Sequence, residues 1–164
     1  MKLLLAGAFA LLACAPSRSR VEIPPPPAPA TELQVEYRWS GGLSIYRSWS
    51  LRIDGNELGT AFFDVETLRN GKKSASGNLS AEEMAELRAA FEKAGFDTLK
   101  TRPREFRASD MGQTVISRTI GGAKKELVFN GSVEPDGDIK PLRDWLDRRV
   151  QQYLEKSGAK PHEH

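Results

Sequence analysis

The chain has 164 residues with 24 basic and 22 acidic side chains, which leaves a formal net charge of +2 at pH 7. This near balance gives no electrostatic case for nucleic-acid binding, because such proteins usually carry a strongly basic face or stripe. A single cysteine, Cys14, excludes a disulfide within the chain. Stability must therefore come from buried apolar side chains and from hydrogen bonds.

An apolar segment, Leu3 to Ala13, follows Met1 and Lys2. A helix that spans a bilayer needs about 20 apolar residues, so this segment is too short to cross one. Its length and its position behind a basic residue are typical of the hydrophobic part of an export signal. The sequence therefore predicts a signal peptide over residues 1–13.

The tetrapeptide Leu11-Leu12-Ala13-Cys14 resembles the lipobox of bacterial lipoproteins. Leucine stands three positions before the cysteine and a small residue directly before it, whereas Leu12 stands where a smaller residue is usual. The resemblance implies a diacylglyceryl thioether on Cys14, cleavage after Ala13 and acylation of the new amino terminus. An exported protein seldom carries one unpaired cysteine without a role, and several acyl chains suffice for stable anchoring. The alternative is an ordinary signal-peptidase site near an unmodified Cys14.

The residue after Cys14 bears on localisation. By resemblance to lipoprotein sorting in many Gram-negative bacteria, Ala15 in place of aspartate implies delivery to the outer membrane, facing the periplasm. The expected partners are thus the membrane, through the lipid, and a protein of the cell envelope.

Residues 14–32 are predicted to hold the lipid and to form a stalk. The segment is rich in proline, which cannot continue a helix or pair within a sheet, so an extended polyproline II conformation is expected. A spacer that lifts a domain off the lipid surface explains this composition, and a recognition ligand for an aromatic groove is the alternative. The prolines are Pro24, Pro25, Pro26, Pro27 and Pro29.

Residues 33–156 have the length of one ordinary domain and begin with the alternation of apolar and polar residues that is typical of strands. Glycine-containing turns separate the strands at Asp54-Gly55-Asn56, Asn70-Gly71 and Gly121-Gly122. The predicted strands are Leu33–Ser40, Ser48–Ile53, Thr60–Glu66, a short Ser74–Leu79, Gln113–Ile120 and Lys124–Asn130. The arginine-containing segment Thr101–Ser109 is predicted to be a loop.

Two amphipathic helices complete the domain. The first begins at Ser80, which forms an S-x-x-E capping box with Glu83, and it ends near Gly95. The second has Pro141 in its first turn, and its apolar face holds Leu142, Trp145, Leu146, Val150, Tyr153 and Leu154. This order predicts an α+β fold: an antiparallel sheet of about five to six strands with two helices packed on one face. Residues 157–164 are predicted to be a disordered tail.

Catalytic residue types are scarce. His162 and His164 lie in the predicted tail and Cys14 is used by the lipid, which removes the commonest nucleophile and base combinations. We therefore predict no enzyme activity, no catalytic residue, no metal site and no cofactor. The isolated Asp110 is predicted to be a turn residue rather than a catalytic acid.

Two further groups have a functional and a structural interpretation. Glu134, Asp136 and Asp138 alternate in a loop and could supply part of a calcium shell. The twelve-residue calcium-loop pattern is missing, so a turn with Asp138 as helix N-cap is favoured. Tyr37, Trp39, Tyr46 and Trp49 cluster near one end of the sheet. They could bind a glycan or a peptide, but the alternating pattern favours core packing for the first, second and fourth of them.

The segment from Tyr37-Arg38-Trp39-Ser40-Gly41-Gly42 through the helix at Ser80 to Gly95-Phe96 resembles small bacterial lipoprotein and periplasmic domains. It is also similar to emfourin-type inhibitors of thermolysin-like metalloproteases, which have a strand that ends in Gly-Gly and a later helix. The predicted anchor and the long C-terminal half depart from that inhibitor family. A non-catalytic binding or envelope-assembly module is therefore expected, and inhibition of secreted metalloproteases is the alternative.

Overall fold

The structure is a computed structural model, and it describes residues 32–41, 44–104 and 112–159. The predicted signal peptide, Leu11, Leu12, Ala13, Cys14, the proline-rich stalk up to residue 31, Asp110 and both histidines lie outside these ranges. The described strands are β1 (Leu33–Ser40), β2 (Tyr46–Gly55), β3 (Gly59–Thr67), β4 (Gly71–Leu79), β5 (Thr101–Pro103), β6 (Gln113–Ile120), β7 (Ala123–Asn130) and β8 (Val133–Pro135). The helices are α1 (Ala81–Lys93) and α2 (Lys140–Ser157).

Six strands form the main sheet in the order β4-β3-β2-β1-β6-β7, and every neighbouring pair is antiparallel. Strands β1 to β4 follow one another as hairpins, so their spatial order repeats their sequence order. Strand β6 returns after α1 and pairs with the free side of β1. The first strand of the domain therefore lies inside the sheet.

The helices cover one face of the sheet. On this face, every second residue of a strand stands opposite one of the neighbouring strand. Tyr37 stands opposite Leu51, and Leu51 stands opposite Phe63. The apolar face of each helix packs on them in one core cluster, in which all six predicted core positions of α2 are buried. The predicted α+β fold, with one antiparallel sheet and two helices on one face, is confirmed.

The hairpin turns follow from glycine at positions that need positive φ. Gly121 and Gly122, with φ of 58° and 82°, form the two-residue connection between β6 and β7. The turn predicted at Asp54-Gly55-Asn56 lies slightly later, because β2 continues through Gly55 and residues 56–58 connect it to Gly59. A Cβ on Gly55 would lie 2.2 Å from the Leu58 carbonyl oxygen, so only glycine fits this close approach.

One helix cap is as predicted and one is not. The Ser80 hydroxyl accepts a hydrogen bond from the Glu83 backbone N–H at 3.3 Å, and the Glu83 carboxylate accepts one from the Ser80 N–H at 2.7 Å. Asp138 is not the N-cap of α2: that position is Ile139, which makes no side-chain cap. The Asp138 carboxylate accepts from the Lys140 N–H at 2.8 Å, a local bond across two residues that satisfies the first N–H group of the helix from outside the N-cap position.

Two segments are more ordered than the sequence indicates. Residues 101–103 of the predicted loop form β5, which pairs with β8 in a separate two-stranded sheet. At the end of the domain α2 runs to Ser157, beyond the predicted boundary at residue 156, and Gly158 follows with φ of 66°. Ala159 is 1% exposed. The packed chain thus extends to residue 159.

Candidate functional site

The face of β1 to β4 that turns away from the helices is polar. Two rows of cross-strand neighbours run across it: Arg38, Ser50, Asp64 and Ser74, and beside them Glu36, Arg52, Phe62 and Ser76. Most of these side chains are exposed, and Phe62 retains 39% of its surface in water. Period-two alternation places them together because successive side chains of a strand point to opposite faces. We call this surface the polar face.

A groove of about 580 Å³ lies on the polar face and reaches the end of the sheet where β1 finishes. All four strands contribute to its lining, mostly from their halves nearest that end. Representative lining residues are Arg38, Trp39, Ser48, Trp49, Glu66 and Lys72. Register explains the grouping, since Ser48 stands opposite both Ser40 and Glu66, and Glu66 opposite Lys72. The groove depends on three separate strand pairings.

The two ends of the sheet differ in their relation to the rest of the chain. At one end, here the proximal end, β1 begins at Leu33 and residues 1–31 connect through Glu32. At the other, the distal end, β1 finishes at Ser40, beside the first residues of β2 and β4. Eight residues of strand separate the two ends by about 23 Å, at about 3.3 Å per residue.

Several charged groups in and around the groove contact groups of opposite sign or hydroxyls. The Asp64 carboxylate accepts a hydrogen bond from the Ser74 hydroxyl at 2.5 Å, and Arg47 lies 3.6 Å from the Glu66 carboxylate. Both signs are interspersed, so the groove does not carry the single-sign field that would concentrate a strongly charged ligand. It offers donors and acceptors side by side, which suits a polar ligand or a protein surface.

The aromatic cluster predicted near one end of the sheet lies toward the distal end, and its members have different roles. Tyr37 is buried, with its ring centre 4.8 Å from that of Trp49 in an edge-to-face arrangement. Trp39 and Trp49 are half-buried and line the groove. The Tyr46 hydroxyl donates to the Ala159 carbonyl at 3.1 Å. Core packing therefore accounts for Tyr37 and, as predicted, for Trp49, which packs against the core cluster. Both tryptophans are also among the residues that line the groove.

Two exposed apolar side chains at the distal end are not predicted by the sequence reasoning. Ile45 is 48% exposed and Leu68 is 58% exposed, and the Leu68 N–H donates to the Ile45 carbonyl at 3.0 Å. The sequence feature that could have pointed to this site is Leu68, an apolar residue in the turn before Asn70-Gly71, where polar residues are usual. We define the distal surface as the groove together with Ile45 and Leu68.

The acidic loop considered for calcium has protein partners instead. The Asp136 carboxylate accepts from the Lys100 N–H at 2.8 Å, and Glu134 lies 3.0 Å from Arg102. With the bond from the Lys140 N–H to Asp138, the two aspartates serve the turn and the start of α2, whereas Glu134 belongs to β8 and pairs with Arg102 of β5. Among the residues that the structure describes, no group of three or more His, Cys, Asp or Glu side chains could hold a metal ion.

One partly buried hydrogen bond joins the sheet to α2. The Tyr37 hydroxyl donates to the Asp147 carboxylate at 2.7 Å, and Arg143 lies 3.6 Å from the other oxygen of that carboxylate. Burial, and then the hydrogen bond to Asp147, raise the pKa of Tyr37 well above its ordinary value of 10.0. The phenol therefore stays protonated at neutral pH and acts as a structural donor.

Comparisons with protein-family models, with curated proteins and with solved structures find no match to this chain. The similarities to lipoprotein domains and to emfourin-type inhibitors thus stay predictions from the residues alone. Within the described ranges, no helix has the length and apolar character needed to cross a bilayer.

Proposed function

We propose that this chain is a lipoprotein of the bacterial cell envelope, anchored through acyl chains on Cys14 in the outer membrane and facing the periplasm. Residues 32–159 act in this proposal as a non-catalytic binding or assembly module. The observation that supports it best is the position of the distal surface. The groove, Ile45 and Leu68 lie at the end of the sheet opposite Leu33, where the anchored segment joins.

This arrangement suits a module presented from a membrane. A tether that enters at the proximal end leaves the distal surface facing away from the lipid, where a partner can approach. The spacer predicted from the prolines of residues 24–29 would add reach at about 3.1 Å per residue. From the membrane outward, the order would then be the lipid on Cys14, the proline-rich spacer, the proximal end of the sheet and the distal surface.

The chemistry of the distal surface favours binding over catalysis. The sequence places its histidines at 162 and 164 and its cysteine at 14, so residues 32–159 contain neither type. Asp64 and Ser74 contact each other without a histidine or lysine in their hydrogen bond, which is the arrangement of a structural pair. Ile45 and Leu68 are both exposed at the end of the sheet that the groove reaches, and their backbones are hydrogen-bonded to each other, so they offer apolar contact to a protein partner.

The proposal is tested by cross-linking in intact cells that express the tagged chain, with Cys14→Ser as the unanchored control. We expect the parent chain to capture a defined envelope protein. In Cys14→Ser, acyl labelling, membrane association and this capture should all be lost. Labelling and membrane association that are unchanged in this variant would overturn the anchor. A captured metalloprotease would favour the inhibitor alternative.

A matched pair of leucines tests the distal surface. Leu68→Ser removes an exposed apolar side chain at the distal end, and Leu58→Ser removes one that is 70% exposed in the turn between β2 and β3, at the proximal end. We expect Leu68→Ser to reduce capture of the partner while Leu58→Ser leaves it unchanged. Equal capture by the two variants, at equal protein levels, would contradict a distal binding surface.

A further inference from the structure

Strand β4 is an edge of the main sheet with one side available. It pairs with β3 over nine residues without a register shift, and no described strand pairs with its other side. A strand in this position presents a row of backbone N–H and C=O groups that another extended chain can pair with. Five of its nine residues are exposed: Gly71, Lys72, Ser74, Ser76 and Asn78.

The sequence of β4 protects this edge only at its start. Lys72 and Lys73 are charged, which is a common way to discourage pairing. The following residues, Ser74 to Asn78, carry no charge, no proline and no bulge. Natural proteins usually shorten, twist or charge such a strand, so an uncharged run of this length is suited to accept a partner.

Three lysine amines lie along β4, whereas Asp64 and Glu66 of the neighbouring strand β3 stand opposite Ser74 and Lys72. Lys73 donates to the Gly158 carbonyl at 2.7 Å, at the end of α2. Lys156 lies over the Tyr153 ring, 4.8 Å from its centre, and a Cβ placed on Gly77 would be 3.3 Å from its amine. With Lys72, three amines flank β4, which itself contains no acidic residue.

This charge distribution disfavours pairing with a second copy of the chain in the register centred on Ala75. An antiparallel pair of β4 strands centred on Ala75 places Lys73 of each copy opposite Gly77 of the other. Since Lys156 lies beside Gly77, two lysines would meet twice in such a pair. Like charges directly opposite each other destabilise strand pairing, whereas acidic side chains would be attracted at the same positions.

We infer that the β4 edge binds an acidic, extended peptide segment of the partner protein, which pairs with it as a seventh strand. Main-chain hydrogen bonds supply affinity, and the flanking lysines select acidic side chains. The inference rests on the proposed binding function and names the class of its ligand. Because Lys72 and Ser74 also line the groove, the added strand would extend the polar face.

The inference is tested with the complete chain, purified with its own amino terminus, and a fluorescent octapeptide of alternating glutamate and threonine. We expect saturable anisotropy with a Kd below about 1 mM. Methylation of every peptide nitrogen removes all main-chain donors at unchanged charge and should weaken binding about tenfold or more. Successive N–H groups of an extended peptide point to opposite edges. Two further peptides are therefore methylated only at the odd or only at the even positions, which leaves the N–H groups of one edge free. At least one of these two peptides should still bind.

Two lysine variants test the charge requirement. Lys72→Ala removes an exposed amine on β4, and Lys124→Ala removes an exposed amine on β7, at the opposite edge of the sheet. We expect the acidic peptide to bind about threefold more weakly to Lys72→Ala and unchanged to Lys124→Ala. An octapeptide of alternating lysine and threonine should not bind.

Three results would overturn the inference: no saturable binding, equal binding of the fully methylated peptide, or equal effects of the two lysine variants. Self-association of the chain without peptide binding would assign the edge to a second copy and overturn it as well. None of these results would change the cross-linking result in cells that tests the proposed function. The inference can therefore be wrong while the proposed function holds.

Discussion

At the scale of single residues, the bond from Tyr37 to Asp147 connects β1 to α2 across 110 positions of sequence. Alternation identifies Tyr37 as an inward residue of a strand, and helical spacing places Asp147 outside the apolar face of α2. Neither pattern pairs the two residues, because the contact depends on how the helix crosses the sheet. The sequence thus predicts which residues are buried better than it predicts their polar partners.

The bond predicts a pH-dependent effect of Tyr37→Phe. At pH 7 the variant should lower the free energy of unfolding by about 1 kcal/mol, since it removes a buried donor from a carboxylate. Because the pKa of Tyr37 is raised in the folded protein, its stabilisation is complete below pH 10 and declines above it, where only the unfolded phenol ionises. Urea unfolding between pH 7 and about pH 11 should therefore show the difference between the two proteins narrowing. A constant difference over that range would contradict a raised pKa.

At the scale of elements, local signals are the ones that the sequence predicts. The capping box of α1 needs only Ser80 and Glu83, three residues apart, and the structure forms both of its hydrogen bonds. Strands β5 and β8 are three residues each and pair across about thirty positions of sequence. No alternation can emerge in three residues, so their pairing is decided by the surrounding fold.

The capping box predicts a specific loss of stability. Ser80→Ala removes the acceptor for the Glu83 N–H and should lower the free energy of unfolding by about 1 kcal/mol. Ser132→Ala changes an exposed serine outside the helices and should lower it by less than about 0.5 kcal/mol. Urea unfolding of the two variants beside the parent protein measures both values. Equal losses would show that the cap does not stabilise α1.

At the scale of the whole molecule, the sheet and its helices follow from pattern, whereas the distal surface does not. The alternation of β1 identifies its two faces but leaves open which strands flank it. The groove exists because β2 and β3 bring Ser48 and Glu66 opposite each other. Ile45 meets Leu68 through a backbone bond between two loops. Such a surface requires the register of the whole sheet, which single strands do not specify.

The C-terminal boundary of the domain gives a prediction at the same scale. Gly158 and Ala159 lie beyond the predicted end at Lys156, yet they accept hydrogen bonds from Lys73 and Tyr46. These contacts hold the end of α2 against the distal end of the sheet, and Ala159 is buried. A domain that ends at Lys156 would lose both bonds, the buried methyl group and the glycine that ends the helix.

We therefore expect a chain that starts at Ala15 and ends at Lys156 to be less stable by about 2 kcal/mol than one that starts there and ends at Ala159. Tyr46→Phe in the longer chain removes one of the two hydrogen bonds, so its loss should be smaller, about 1 kcal/mol. Urea unfolding followed by tryptophan fluorescence measures all three chains, since Trp49 packs against the core beside Tyr37 and Tyr46. Equal midpoints for the two lengths would mean that residues 157–159 add nothing to the fold, and the predicted boundary at residue 156 would then stand.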